Sequence, residues 1–199
     1  MGSQGESTEA GFTLIELMVV LLIIAILLAV AIPTFLGVTS QANDRAAQSN
    51  LANALTETSA QFQSTGQSYG NLGTVVLNAS IPEFSWVGPG TSCVGATTNC
   101  ISEEITNAAT ISDYQGLTLA VFSKGTSTCW YGVTLAVAPQ THTLDTEAFS
   151  AVVTPGAVGS TAGTFYSRQT VSAAHPTCQA SNALGNWTWG TSIATAGAN

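Results

Sequence analysis

Gly11-Phe12-Thr13-Leu14-Ile15-Glu16-Leu17-Met18-Val19-Val20 opens a run that stays apolar as far as Ile32. From Leu17 to Ile32 no side chain is polar, and between Phe12 and Ile32 the exceptions are Thr13 and Glu16. As a helix rising 1.5 Å per residue, Phe12–Ile32 measures roughly 31 Å, close to the thickness of a bilayer hydrocarbon core. Glu16 stands against the pattern. A carboxylate one turn inside a membrane segment costs about 2.5–3.5 kcal/mol on insertion scales. Buried charge is retained where it is paired, so Glu16 calls for a partner.

The flanks of the run add to this reading. Residues 1–11 are small and polar, with Glu6 and Glu9, and the small residue Gly11 precedes the apolar core. A general secretory signal has a basic start and its cleavage site after the core, so the order here is reversed. Behind the run come Pro33 and Gly37. A proline inside a helix removes one backbone hydrogen bond and crowds the preceding turn, so Pro33 predicts a kink or weak point, or simply marks the membrane exit. Beyond Gly37, Ala47, Leu51, Ala54, Leu55, Thr58 and Phe62 share one face at 100° per residue, and Gly66 is a plausible stop. A helix from Phe12 to Ser64 would span roughly 80 Å, a length that suits a fibre component better than a globular domain.

From Gln67 the texture changes to turn residues and short β-rich runs. Thr74-Val75-Val76-Leu77 is a short strand candidate. Gly116–Ser123 alternates, with Leu117, Leu119 and Val121 on one face. Lys124-Gly125-Thr126-Ser127 makes a turn into a second strand, Thr128–Ala138, and Thr164–Ser172 gives a third. Residues Gly156–Gly163 and the tail after Gly190 read as mobile. Antiparallel strands packed on the amphipathic half of one helix predict an α+β head.

The Gly followed by Phe-Thr-Leu-Ile-Glu-Leu-Met-Val-Val, Gly11 to Val20, resembles the processing and assembly motif of type IV pilins and the related pseudopilins of type II secretion. Ten consecutive positions fit. The resemblance implies a pilin fold, a long helix with a membrane half and an amphipathic half packed on a C-terminal antiparallel sheet. It divides the chain into a leader (1–11), a transmembrane and assembly helix (12–36), the amphipathic half (37–66) and a β-rich head (67–199). A prepilin peptidase/methyltransferase would cut between Gly11 and Phe12 and N-methylate Phe12. Glu16 of an incoming subunit would pair with the Phe12 amine of a neighbour, setting register, and Pro33 would mark a segment that unwinds as subunits pack. Implied partners are other pilin subunits, the assembly platform and the inner membrane before assembly. The end state is a cell-surface fibre serving adhesion, twitching motility or DNA uptake. One departure stands out: family leaders carry Lys or Arg and residues 1–11 carry none, so the positive-inside rule gives no orientation.

Composition narrows the classes. The chain has 199 residues, of which 7% are charged, against about 25% in ordinary domains, so its surface is built from Ser, Thr, Asn, Gln and Gly. Three scattered cations, Arg45, Lys124 and Arg168, and a net charge of −8 leave no electrostatic footprint for direct nucleic-acid binding. The cysteines Cys93, Cys100, Cys129 and Cys178 all lie beyond the apolar run. In an exported domain they read as two disulfides with three connectivities open, among them a small Cys93–Cys100 loop with a Cys129–Cys178 staple. By resemblance, major pseudopilins lack a C-terminal disulfide of the kind Cys129 and Cys178 would supply, and the tip pseudopilin lacks the carboxylate at Glu16. Spacing gives no zinc site.

Several motifs compete with the structural reading. Gly66-Gln67-Ser68-Tyr69-Gly70 matches the G-x-S-x-G elbow, and Ser68 with Asp113 or Asp145 and His142 or His175 gives a remote alternative, a membrane-anchored hydrolase. The elbow requires a strand before the serine and a helix after it, whereas a long helix precedes Ser68. His142, Asp145 and Glu147 form one acidic group and Glu103, Glu104 and Asp113 another; both are expected as solvated turns rather than calcium sites. His175 before Pro176 marks a turn. Asn78-Ala79-Ser80 and Asn186-Trp187-Thr188 match a glycosylation pattern that the bacterial reading leaves without its machinery. Trp86, Trp130, Trp187 and Trp189 are expected in packing. No catalytic residue, metal or cofactor is expected.

Overall fold

The apolar run and the amphipathic stretch behind it form one helix, α1 (Leu14–Ser64). A computed structural model describes residues 11–96, 99–106, 114–137, 162–183 and 189–198. Two units emerge, one up to Thr39 and one from Ser40 on.

In the first unit every large apolar side chain from Phe12 to Val38 is exposed. A helix apolar on all sides finds partners in lipid or in other helices. Pro33 lies inside α1, which continues through it. The proline has no N–H to offer the Ala29 carbonyl. One residue on, the Thr34 hydroxyl donates back to the carbonyls of Ala31 (2.9 Å) and Val30 (3.2 Å), so its own polar group is satisfied inside the apolar segment.

In the second unit α1 buries Ala47, Leu51, Ala54, Leu55, Thr58 and Phe62, the stripe that the 3.6-residue period picks out. The helix stops where the left-handed backbone of Gly66 (φ 81°) lets the Gln67 N–H return to the Phe62 carbonyl at 3.0 Å, a Schellman closure. Against the stripe lies a sheet of six strands in sequence order: β1 (Ser85–Val87), β2 (Cys100–Thr106), β3 (Gly116–Ser123), β4 (Thr128–Leu135), β5 (Gly163–Thr170) and β6 (Gly197–Ala198). The four inner strands are antiparallel, as expected of a pilin-like α+β head. The two edges differ, because β1 runs parallel to β2 and β6 parallel to β5. A parallel pair needs a long crossover; residues 88–99 make it for β1, and the C-terminal tail returns to make β6.

Leu117, Leu119, Val121 and Trp130 pack on the helix side of the sheet with Leu51 and Leu55. The opposite side, with Tyr131, Val133, Leu135 and Phe165, is covered by Cys178, Ala180, Ala183 and Trp189. The head is thus three layers: helix, sheet and a C-terminal segment.

Several expectations are corrected. Thr74–Leu77 is not a strand but the first turn of a second helix, α2 (Thr74–Ser80). Leu77 is buried while Val75 is 84% exposed, although residues two apart would share one face of a strand; on a helix they point to different sides. Glu103 and Glu104 are not in a solvated turn; both are buried in the middle of β2. The tail after Gly190 carries structure that the sequence did not suggest: a 3-10 turn at Ile193–Thr195, closed by reciprocal bonds between Ser192 and Thr195, leads into β6. Strands β4 and β5 end earlier than the sequence suggests, at Leu135 and Thr170. Asp113, His142, Asp145, Glu147, Asn186, Trp187 and most of Gly156–Gly163 lie outside the described residues.

Candidate assembly site and the head that carries it

Gly11 and Phe12 lie in non-helical chain immediately before α1, with Phe12 89% exposed and open space around Gly11. Thr13 is the residue that starts the helix. Its N–H and its hydroxyl both donate to Glu16 Oε2, at 2.9 and 2.7 Å, and its Oγ1 accepts from the Glu16 N–H at 3.3 Å. This is a capping box, in which the side chains at the N-cap and the third helical position satisfy each other's orphan backbone groups. The partner that Glu16 calls for is therefore partly supplied within its own chain. Thr13-x-x-Glu16 is the sequence signature of such a cap, and reading the run only for hydrophobicity passes over it. Both bonds end on Oε2, and among the described residues Glu16 Oε1 accepts none.

In the head, Cys93 is joined to Cys100 and Cys129 to Cys178, with Cα–Cα separations of 5.6 and 5.4 Å. The two bonds meet: the Cys93 N–H donates to the Cys178 carbonyl at 2.8 Å and the Cys178 N–H to Ser92 Oγ at 2.9 Å. Nearby, Ser102 Oγ accepts from the Ala180 N–H and donates to the Gly88 carbonyl. The crossover and the C-terminal segment are thereby tied to the start of β2 and β4.

Polar side chains elsewhere in the head are used for joinery. Asp44 of α1 accepts from the Trp130 indole N–H (2.9 Å), from the Thr126 hydroxyl (2.8 Å) and from Gln48 (2.8 Å), fixing the β3–β4 hairpin to the helix. Nothing in the sequence singles out Asp44, whose two partners in the hairpin lie more than eighty residues away. Glu103 accepts from the Thr74 hydroxyl at 2.7 Å. Asn78 bridges α2 to β1, its amide bonding the Trp86 carbonyl and N–H.

Ser68 accepts from the Gly70 N–H at 3.2 Å in the turn that ends α1. A helix, not a strand, leads into it, so the nucleophile-elbow context is missing. His175 sits in a tight turn, its backbone exchanging bonds with Ser172.

Comparison with known families finds the prokaryotic N-terminal methylation motif at residues 7–32, which spans Gly11, the Thr13–Glu16 cap and the apolar half of α1. No solved structure matches the chain.

Proposed function

From the prokaryotic N-terminal methylation motif at residues 7–32, we propose that this chain is a prepilin of the type IV pilin and pseudopilin class and, within that class, the structural subunit of a type IV pilus. The reading rests on one observation above all: the motif opens a helical segment, Phe12 to Val38, whose large apolar side chains are all exposed, and the same chain carries a disulfide-closed α+β head. Such a helix requires lipid before assembly and other helices after it. A prepilin peptidase cuts between Gly11 and Phe12 on this reading, and the new amine at Phe12 is N-methylated. The capping box survives that cut, because the Thr13 N–H belongs to the Phe12–Thr13 peptide bond.

Glu16 then has a second task. Its Oε2 is engaged by Thr13, leaving Oε1 to meet the ammonium of Phe12 on a neighbouring subunit. In a low-dielectric layer, pairing the two charges removes the cost of each standing alone. The fibre grows by adding subunits from the membrane, powered by a machine outside this chain, and serves adhesion, motility or DNA uptake. A pseudopilin of type II secretion is the second reading; the Cys129–Cys178 bond favours the pilin.

Mass spectrometry of filaments sheared from the cell surface tests the proposal. N-methyl-Phe at Phe12 as the first residue of the fibre subunit is the expected result, and an unprocessed chain confined to the membrane would sink it. Glu16→Ala should still be processed at Gly11 while filament yield drops at least tenfold. Filaments at parental yield from that variant would refute the pairing role.

A further inference from the structure

Arg45, Lys124 and Arg168 are the only Lys and Arg residues in the chain and lie far apart in sequence. The fold gathers them around one turn of α1. Arg45 is on that turn, and Lys124 lines a small cleft with Asn43, Ala46 and Ala47. The Arg168 guanidinium lies 5.6 Å from the centre of the Trp130 ring, and the indole of Trp130 is bonded to Asp44. All three cations are exposed, and among the described residues none makes an ion pair. Asp44, the carboxylate in their midst, is engaged by neutral donors. The next acid along α1, Glu57, is roughly 18 Å further up the helix.

We propose that Arg45, Lys124 and Arg168 form a cationic collar that binds the phosphates of anionic phospholipid headgroups, seating the head on the membrane surface before assembly. This rests on the reading that the apolar half of α1 is anchored in the bilayer. Chain length brings the collar within reach of it: Arg45 is seven positions past Val38, the last exposed apolar side chain of the first unit, and thirteen past Ile32, where the unbroken apolar run ends. As helix those separations are about 10 and about 20 Å. The headgroup layer extends several ångströms beyond the hydrocarbon on each side, and long Lys and Arg side chains reach back towards it. Headgroup phosphates attract each such cation within about a Debye length. In a protein of net charge −8, the rest of the head gains nothing from an anionic surface, so the collar also selects which end of the head faces it.

Lys124 is the only lysine, and its acylation by an amine-reactive ester is a single-site readout by mass spectrometry. The full chain is reconstituted in vesicles of phosphatidylcholine alone or mixed with phosphatidylglycerol. A surface at about −30 mV raises the local proton concentration about threefold, so acylation in the anionic vesicles should slow by about threefold or more. High salt should remove the difference, as should the double variant Arg45→Gln/Arg168→Gln, which leaves Lys124 in place. Equal rates in the two lipids, with the protein retained on flotation, overturn the collar alone. Slowing that is equal in both lipids and grows with protein density assigns the collar to another copy of the chain and overturns the lipid reading. Protein that leaves the vesicles on flotation brings down membrane anchoring and the collar with it.

Discussion

Asp44 and Glu103 are both carboxylates of the head, and their surroundings push them in opposite directions. Partial burial pushes Asp44 up, but donations from Trp130, Thr126, Ser123 and Gln48 outweigh it and hold the carboxyl below its ordinary value. Its contribution to stability is present above the unfolded value of about 4 and is lost as pH falls through the lower folded value. Burial dominates at Glu103, only partly offset by Thr74, and raises that carboxyl. The folded state then holds its proton longer than the unfolded one. The resulting stability is full below the unfolded value of about 4.3 and is lost as pH rises through the folded value. Asp44→Asn should therefore be less stable than the parent at neutral pH, with the deficit closing below about pH 4. Glu103→Gln, which keeps an oxygen for Thr74, should match the parent in acid and exceed it at neutral pH. Urea midpoints between pH 3 and pH 8 check both, and differences that stay constant across that range would contradict the assignments.

At the scale of elements, the joint between α1 and the β3–β4 hairpin depends on two glycines. Gly132 of β4 faces Leu55, and a Cβ there would lie 2.7 Å from Leu55 Cδ1. Gly125, in the turn, lies so close to α1 that a Cβ would overlap the Ser40 carbonyl. A leucine methyl moves more easily than helix backbone. Gly132→Ala should cost about 1–2 kcal/mol and Gly125→Ala about 3 kcal/mol, read from denaturant unfolding; equal costs would mean the turn is free to lift off the helix. The hairpin itself was legible in the sequence, because alternation over Gly116–Ser123 and the Lys124–Ser127 turn are local signals. So was the helical stripe from Ala47 to Phe62. Strand β2 was not, since Cys-Ile-Ser-Glu-Glu-Ile-Thr reads as a solvated acidic stretch. Its burial depends on Thr74 and Ala180, groups remote in sequence that bond Glu103 and Ser102. The β-branched run at Thr74–Leu77 misled in the reverse sense, a propensity overridden by one-sided burial. At the N-terminus, the methylation motif spanning residues 7–32 was readable because it is contiguous in sequence. The cationic ring was not, because only the register of Trp130 with Arg168 and the position of the turn bring its members together.

Across the whole head, cohesion falls to covalent links more than to charge. Only 7% of residues are charged, which leaves few groups for salt bridges. The two disulfides close loops of very different size, with separations of 7 and 49 residues. If a disulfide acts mainly by restricting the unfolded chain, the longer loop contributes about 4 kcal/mol and the shorter about 2 kcal/mol. The difference has a structural side as well. Cys178 carries the segment that covers Tyr131, Val133 and Phe165, so freeing it from Cys129 loosens the third layer of the head. The crossover loop keeps Ser85–Cys100 register and the Cys93–Cys178 backbone bond even without its own disulfide. Cys129→Ala/Cys178→Ala should therefore lose about twice the unfolding free energy of Cys93→Ala/Cys100→Ala. The longer-loop variant alone should also expose near-neighbour aromatics, seen as a fall in near-ultraviolet circular dichroism before the main unfolding transition. Equal losses from the two pairs, or a larger loss from the short loop, would show that local packing around the crossover rather than chain restriction sets the stability of the head.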